Sequence, residues 1–189
     1  MNHHLQWLAL PHCPPNQLQP NNPAKAGQND AGFDLRVAED TIIKPYRSLP
    51  FVYEWIKPLD QWEGPEPLPE LVEERDGEKW IVRKKYTFPL ISTGIKLIHP
   101  DQDTMAWVAL YLRSSMSKYN LALANQVGVI DMSYSGEVLI AAYSREVAVP
   151  ISRGEAIAQL VPQPQFNLTL EQITSDPRTV ERGGFGSTT

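Results

Sequence analysis

A single cysteine, Cys13, stands in 189 residues, so no internal disulfide can form and a reducing compartment, the cytoplasm, is expected. Long apolar runs are missing as well; none approaches the ~20 residues that a bilayer-spanning helix needs. The opening stretch MNHHLQWLALPHC has no basic segment followed by an apolar core, so it does not read as a secretory leader. Positive charge is in short supply. The 17 Lys and Arg against 22 Asp and Glu leave a formal net charge of −5, which offers no footprint for a nucleic-acid backbone. Neither a membrane nor a nucleic acid is expected as a partner. Uninterrupted helical sequence is scarce too, because 17 prolines punctuate the chain, clustered in its first quarter and between Pro45 and Pro69.

What is present is a series of short runs rich in Val, Ile and Leu: STGIKLIHP, MAWVALYLRSS, GEVLIAAYS, REVAVPIS and EAIAQLVP. Their length, their β-branched content and their Gly, Pro and Ser boundaries predict strands. The length suits one domain, 1–189, and the pattern predicts an all-β barrel or sandwich. One short helix is expected at SSMSKYNLALA, with Ser114 or Ser115 capping its start.

Three stretches carry polar groups where chemistry could occur. In GVIDMSYSGEV, residues 128–138, apolar runs flank Asp131, Met132, Ser133, Tyr134, Ser135 and Gly136, which reads as a β-hairpin turn. In LRSSMS, residues 112–117, an Arg at a strand end is followed by two hydroxyls. An Arg fork with neighbouring hydroxyls and N–H groups suits phosphate oxygens, and a plain surface Arg is the alternative. In AGFDLRVAED, residues 31–40, Asp34 alternates with Phe33 and Leu35. It is either buried and paired or turned to solvent.

In chain order, AGFDLRVA, RSSMS, NQVGVIDMSYSGE, RGEAIAQL and GGFGST resemble the five motifs of the trimeric dUTPases, the deoxyuridine triphosphate nucleotidohydrolases. The resemblance runs from about Ala31 to the end of the chain with one insertion. It implies a jelly-roll-like β fold and a homotrimer whose active sites form at subunit interfaces. The implied reaction converts dUTP and water to dUMP and pyrophosphate, which limits uracil incorporation into DNA and supplies dUMP for thymidylate synthesis. The implied magnesium ion is held by the triphosphate and waters, so no residue is assigned to it.

By the same resemblance Asp131 is the carboxylate that activates the attacking water. Tyr134 packs on the deoxyribose, where its ring leaves no space for a 2′-hydroxyl. Backbone around Gly128, Val129 and Ile130 pairs with the uracil edge, and Asn125 orients the base. Arg113, Ser114, Ser115 and Gln159 face the phosphates, with Asp34 supporting the metal-and-water shell. The tail RGGFGSTT supplies Phe185 to stack on uracil, and Arg182, Gly186, Ser187 and Thr188 to hold the γ-phosphate. Ordering some eight residues costs ~1–2 kcal/mol each, so residues 182–189 are expected to close as a lid only over bound triphosphate. Three positions depart from the family pattern. Ser133 stands where an Asp is usual, and Ala156 where an Arg is common. Val180 occupies the place of the fifth motif's Arg, leaving Arg182 or Arg178 as substitutes.

Two other readings remain. Deoxycytidine triphosphate deaminase shares the RSS and G-x-I-D pattern, but its proton-carrying glutamate would fall at Ala141. The other is a regulatory or interaction protein on the dUTPase scaffold, acting through the insertion at about 46–88. That stretch contains Trp55, Trp62 and Trp80, and its Asp76-Gly77 predicts a hairpin. Its aromatics are expected either to bind a partner or to cover a neighbouring subunit or the hairpin itself.

Overall fold

The computed structural model describes residues 6–18, 32–98, 106–131 and 133–164. Those residues are strands joined by loops and short 3-10 turns, so the chain is all-β. The first eight strands are β1 (Gln6–Ala9), β2 (Phe33–Arg36), β3 (Thr41–Ile43), β4 (Phe51–Pro58), β5 (Val72–Arg75), β6 (Glu78–Tyr86), β7 (Leu90–Ser92) and β8 (Ile95–Ile98). Six more follow: β9 (Ala106–Leu112), β10 (Leu121–Leu123), β11 (Gly128–Ile130), β12 (Leu139–Ser144), β13 (Val149–Ile151) and β14 (Ala156–Pro164). Among the described residues no helix is long and apolar enough to cross a membrane.

The strands pair antiparallel into small sheets, ordered β11-β9-β14-β2, β10-β12-β7, β1-β8, β13-β3 and β4-β6-β5. Period-two alternation explains β12: Ile140, Ala142 and Ser144 point inward and are buried, while Leu139, Ala141 and Tyr143 take the other face. The central strands differ. Val108, Ala109 and Leu110 of β9 and Ala156, Ile157 and Ala158 of β14 are buried in succession, as expected where both faces of a strand are covered. One core joins the sheets other than β4-β6-β5 through residues such as Leu35, Ile95, Val108, Ile140, Ile157 and Leu160. Pairing of β14 with β2 ends at Leu160, so Pro162 and Pro164 fall where β14 has one described neighbour, the edge-like setting that proline tolerates.

Two local expectations are corrected. The stretch SSMSKYNLALA is not a helix with a serine cap. It is a 3-10 run, Ser114–Tyr119, preceded by Arg113 with no side-chain cap and stopped by Asn120 in the left-handed region. Only Met116 of that run is buried; Leu121 and Leu123 follow the two-residue period of a strand and pair with β12. The second correction concerns GVIDMSYSGEV, which is not the turn of a paired hairpin. Strand β11 pairs with β9, whereas β12 pairs with β10 and β7. The loop between them therefore crosses from one sheet to another.

The insertion folds as its own three-stranded sheet. Asp76 and Gly77, with φ of 54° and 82°, join β5 to β6 in the expected two-residue hairpin, which needs positive φ at both positions. Strand β4 adds to the other side of β6. Trp55 and Trp80 meet edge to face with ring centroids 6.3 Å apart, and Trp62 donates its indole N–H to the Pro65 carbonyl at 2.7 Å. All three tryptophans are half-buried within the insertion. At its base Tyr46 packs on Tyr86 and on Tyr143 of β12, while Phe88 also meets Tyr143. The Thr87 N–H bonds the Pro50 carbonyl at 2.8 Å, which draws the two ends of the excursion together.

Candidate active site

The sheet-crossing loop and β11 form one wall of a cleft of ≈ 290 Å³. Asn125, Gly128, Val129, Ile130, Asp131 and Tyr134 all line it. These are the described members of the set expected around base, sugar and attacking water. Leu90, Leu110, Val138, Leu139 and Ala141 complete the lining. Apart from Ala141, named in the sequence only as the place of a missing glutamate, these went unremarked because apolar residues carry no signal that separates a pocket wall from a core. Gly128 is needed for the approach of β11 to β9, since a methyl there would sit 3.0 Å from the Leu110 Cβ.

Tyr134 folds back over its own loop. Its N–H bonds the Asp131 carbonyl at 3.0 Å and its hydroxyl donates to the Glu137 carbonyl at 2.7 Å. The ring lies so close over Gly136 that a methyl there would stand 2.6 Å from the Tyr134 oxygen. Ring and carboxylate thus belong to one tight turn, with Asp131 exposed at its start.

A second polar group lies farther across the same sheet as β11, where β9, β14 and β2 run side by side. Asp34 is opposite Gln159 in register, and Gln159 is opposite Tyr111. The Arg113 Nε stands 3.1 Å from Asp34 Oδ1 and the Arg36 Nη2 3.5 Å from Oδ2. Asp34 is therefore buried and paired, the first of its two expected settings. The contact with Arg113 is an ion pair without hydrogen-bond alignment, so the buried Oδ1 accepts no hydrogen bond. Burial pushes the Asp34 carboxyl above its ordinary range, and the charges of Arg113 and then Arg36 pull it back only in part. Ser114 and Ser115 follow Arg113 and are exposed. Arg36 was missed in the sequence although the signal existed: residues two apart on a strand share a face, as Asp34 and Arg36 do.

The two groups do not share the cleft within one chain: neither Asp34, Arg113, Ser114, Ser115 nor Gln159 lines it. Phe185, Arg182, Gly186, Ser187 and Thr188 lie outside the described residues, as do Arg178 and Val180. Among the described residues no group of three or more His, Cys, Asp or Glu is placed to hold a metal ion.

The fold is that of phage dUTPases. The dUTPase of Staphylococcus bacteriophage 80alpha, solved with dUpNHpp, aligns with 100% of this chain and 99% of its own at a TM-score of 0.64, with 20% identity. The dUTPase of the Staphylococcus aureus phage phi11, solved to visualise its species-specific insert, aligns over 92% of this chain and 98% of its own at 0.57, with 17% identity. Residues 79–189 match the dUTPase family; the chain belongs to it. The deoxyuridine 5′-triphosphate nucleotidohydrolase of Hahella chejuensis is 38% identical over 101 residues. That of Desulfitobacterium hafniense is 40% identical over 103. Each alignment takes in 52% of this chain and 66% of the relative.

Proposed function

We propose that this chain hydrolyses dUTP to dUMP and pyrophosphate. The observation that carries the reading is that Asn125, Gly128–Asp131 and Tyr134 converge on one cleft. A uracil edge can pair with the backbone of β11 while Tyr134 covers the sugar. Asp131 takes a proton from water as its oxygen attacks the α-phosphorus, and the bond from that phosphorus to the oxygen bridging to the β-phosphorus breaks. Pyrophosphate leaves with the electron pair. A positioned base of this kind contributes ~10²–10⁴ in rate.

Arg113, Ser114, Ser115 and Gln159 bind the triphosphate, and Asp34 holds Arg113 in place. Because this group stands apart from the cleft of its own chain, the reading includes a homotrimer in which one protomer's phosphate group faces its neighbour's cleft. Magnesium fits this donor set as an ion that keeps its waters and arrives on the triphosphate. If bound, the ion would neutralise phosphate charge, with Asp34 supporting the metal-and-water shell. Residues 182–189 close over the nucleotide, with Phe185 on the base and Arg182, Gly186, Ser187 and Thr188 at the γ-phosphate. Deamination at this site lacks the glutamate it would need, since that place on the cleft wall is Ala141.

A second role through the insertion is favoured by its folding as a separate sheet with Phe51, Val52 and Ile56 exposed. The 80alpha phage enzyme is described as controlling transfer of virulence genes, and a regulatory contact here would use that sheet. Pyrophosphate release measured over the deoxynucleoside triphosphates and UTP tests the main reading. Release from dUTP alone supports it; release from none leaves the regulatory role.

A further inference from the structure

Glu137 follows the sugar-covering turn, and its side chain makes more polar contacts than a surface carboxylate needs. Its Oε1 accepts from the Ser92 hydroxyl at 2.5 Å, the Gly94 N–H at 2.8 Å, the Thr93 N–H at 3.1 Å and the His12 Nε2 at 3.2 Å. The consecutive N–H groups of Thr93 and Gly94 form a concavity for an anion. Gly94 adopts φ of +74° there, and a methyl at that position would lie 2.5 Å from the Cys13 Cα. Burial opposes ionisation, but the Ser92, Gly94 and His12 contacts outweigh it and hold the carboxyl below its ordinary range.

The neighbouring backbone is tied to the same turn. The Thr93 hydroxyl, fully buried, donates to the Val138 carbonyl at 2.5 Å, and the Val138 N–H bonds the Ile95 carbonyl at 2.9 Å. The Leu10 N–H reaches the Gly94 carbonyl at 2.8 Å, so residues 10–13 close the far side. On the cleft side, the Glu137 carbonyl receives the Tyr134 hydroxyl. One residue therefore joins two things through its two ends: its carboxylate grips a fixed turn of the core, and its carbonyl grips the ring.

We infer that Glu137 is a positioning residue for recognition of the sugar: by anchoring residues 131–138 to the 92–94 turn, it sets the place of the Tyr134 ring and with it the preference for deoxyribose over ribose nucleotides. The inference rests on the dUTPase reading of the cleft. By sequence alone, a Glu after Gly in a polar loop looks like a solvated charge.

The test compares wild type with Glu137→Ala and Glu137→Gln, using dUTP and UTP hydrolysis and amide hydrogen exchange of residues 131–138. Misplacing a contact group by a fraction of an ångström is felt strongly in rate. Glu137→Ala is expected to narrow the dUTP-over-UTP ratio of kcat/KM on the order of tenfold and to speed exchange in the loop. Glu137→Gln keeps an acceptor of the same shape and is expected to restore most of the ratio. A folded Glu137→Ala protein with unchanged ratio overturns the inference, even if exchange is faster, since the residue would then act on stability alone. If Glu137→Ala fails to fold, Ser92→Ala removes the shortest contact, and an unchanged ratio there overturns the inference likewise. Wild type that hydrolyses neither nucleotide overturns the dUTPase reading itself, and the inference falls with it.

Discussion

Arg113 reaches Asp34 across an intervening strand: its Nε stands 3.1 Å from Asp34 Oδ1 although β14 separates β9 from β2. The pair is unequal in exposure, Asp34 buried and Arg113 about a third open. Removing the Arg would leave a buried carboxylate with Arg36 as its remaining ion-pair partner among the described residues. Full loss of a buried partner costs about 3–5 kcal/mol, and the partial exposure here reduces that to about 1–3 kcal/mol for Arg113→Ala. The pH dependence has a definite sign. A carboxyl whose folded pKa lies above its unfolded value stabilises the fold when protonated, and that contribution is lost as pH rises from the unfolded toward the folded value. The deficit of Arg113→Ala against wild type is therefore expected to be small below pH ~3.9 and to grow above it. Urea unfolding at several pH values checks this; a deficit that grows on acidification contradicts it.

Asp131→Asn keeps the shape of the side chain and removes its basicity. Hydrolysis is expected to fall by ~10²–10⁴, with binding of a non-hydrolysable dUTP analogue nearly unchanged. Single-turnover kinetics with calorimetric titration separates the two effects. A loss of only a few-fold in kcat would assign the proton to another group.

Gly136→Ala offers a way to disturb the sugar wall without touching Tyr134. The added methyl would stand 2.6 Å from the Tyr134 oxygen, so the ring must leave its seat. Discrimination against UTP is expected to fall in this variant as it does in Tyr134→Ala, where the barrier itself is gone. Intact discrimination in both would show that a different group reads the 2′ position.

The insertion can be removed at its neck. The Pro50 carbonyl and Thr87 N–H are already 2.8 Å apart, so residues 51–86 can be replaced by a short turn while Tyr46 and Phe88 stay against Tyr143. Hydrolysis of dUTP is expected to remain within about tenfold of wild type, ~1.4 kcal/mol in barrier. Light scattering reports the assembly of the shortened protein alongside. A collapse of the oligomer would place the sheet in the subunit contacts.

Much of this molecule is local. The strand within GEVLIAAYS, the Asp76-Gly77 hairpin and the polar stretch at 131–136 were legible because each depends on near neighbours: a two-residue period, two positive φ angles, the residue types that loops select. The alternation of Asp34 with Leu35 placed the acid on a face but left its burial open, since burial depends on what a distant strand brings. Arg113 decided it. Likewise, nothing in the residues from Gly128 to Val138 says that β11 joins β9 while β12 joins β10 and β7. Pairing partners follow from burial of the whole core, and a hairpin and a sheet-crossing loop select the same turn residues. The grip of Glu137 on Ser92, Thr93, Gly94 and His12 is of the same kind, four donors from two remote segments converging on one oxygen. The order of residue types along the chain determined the strands and the polar loop; only the packing of those strands determined which polar groups meet, because hydrogen bonds and ion pairs act across a few ångströms of space whatever the distance along the sequence.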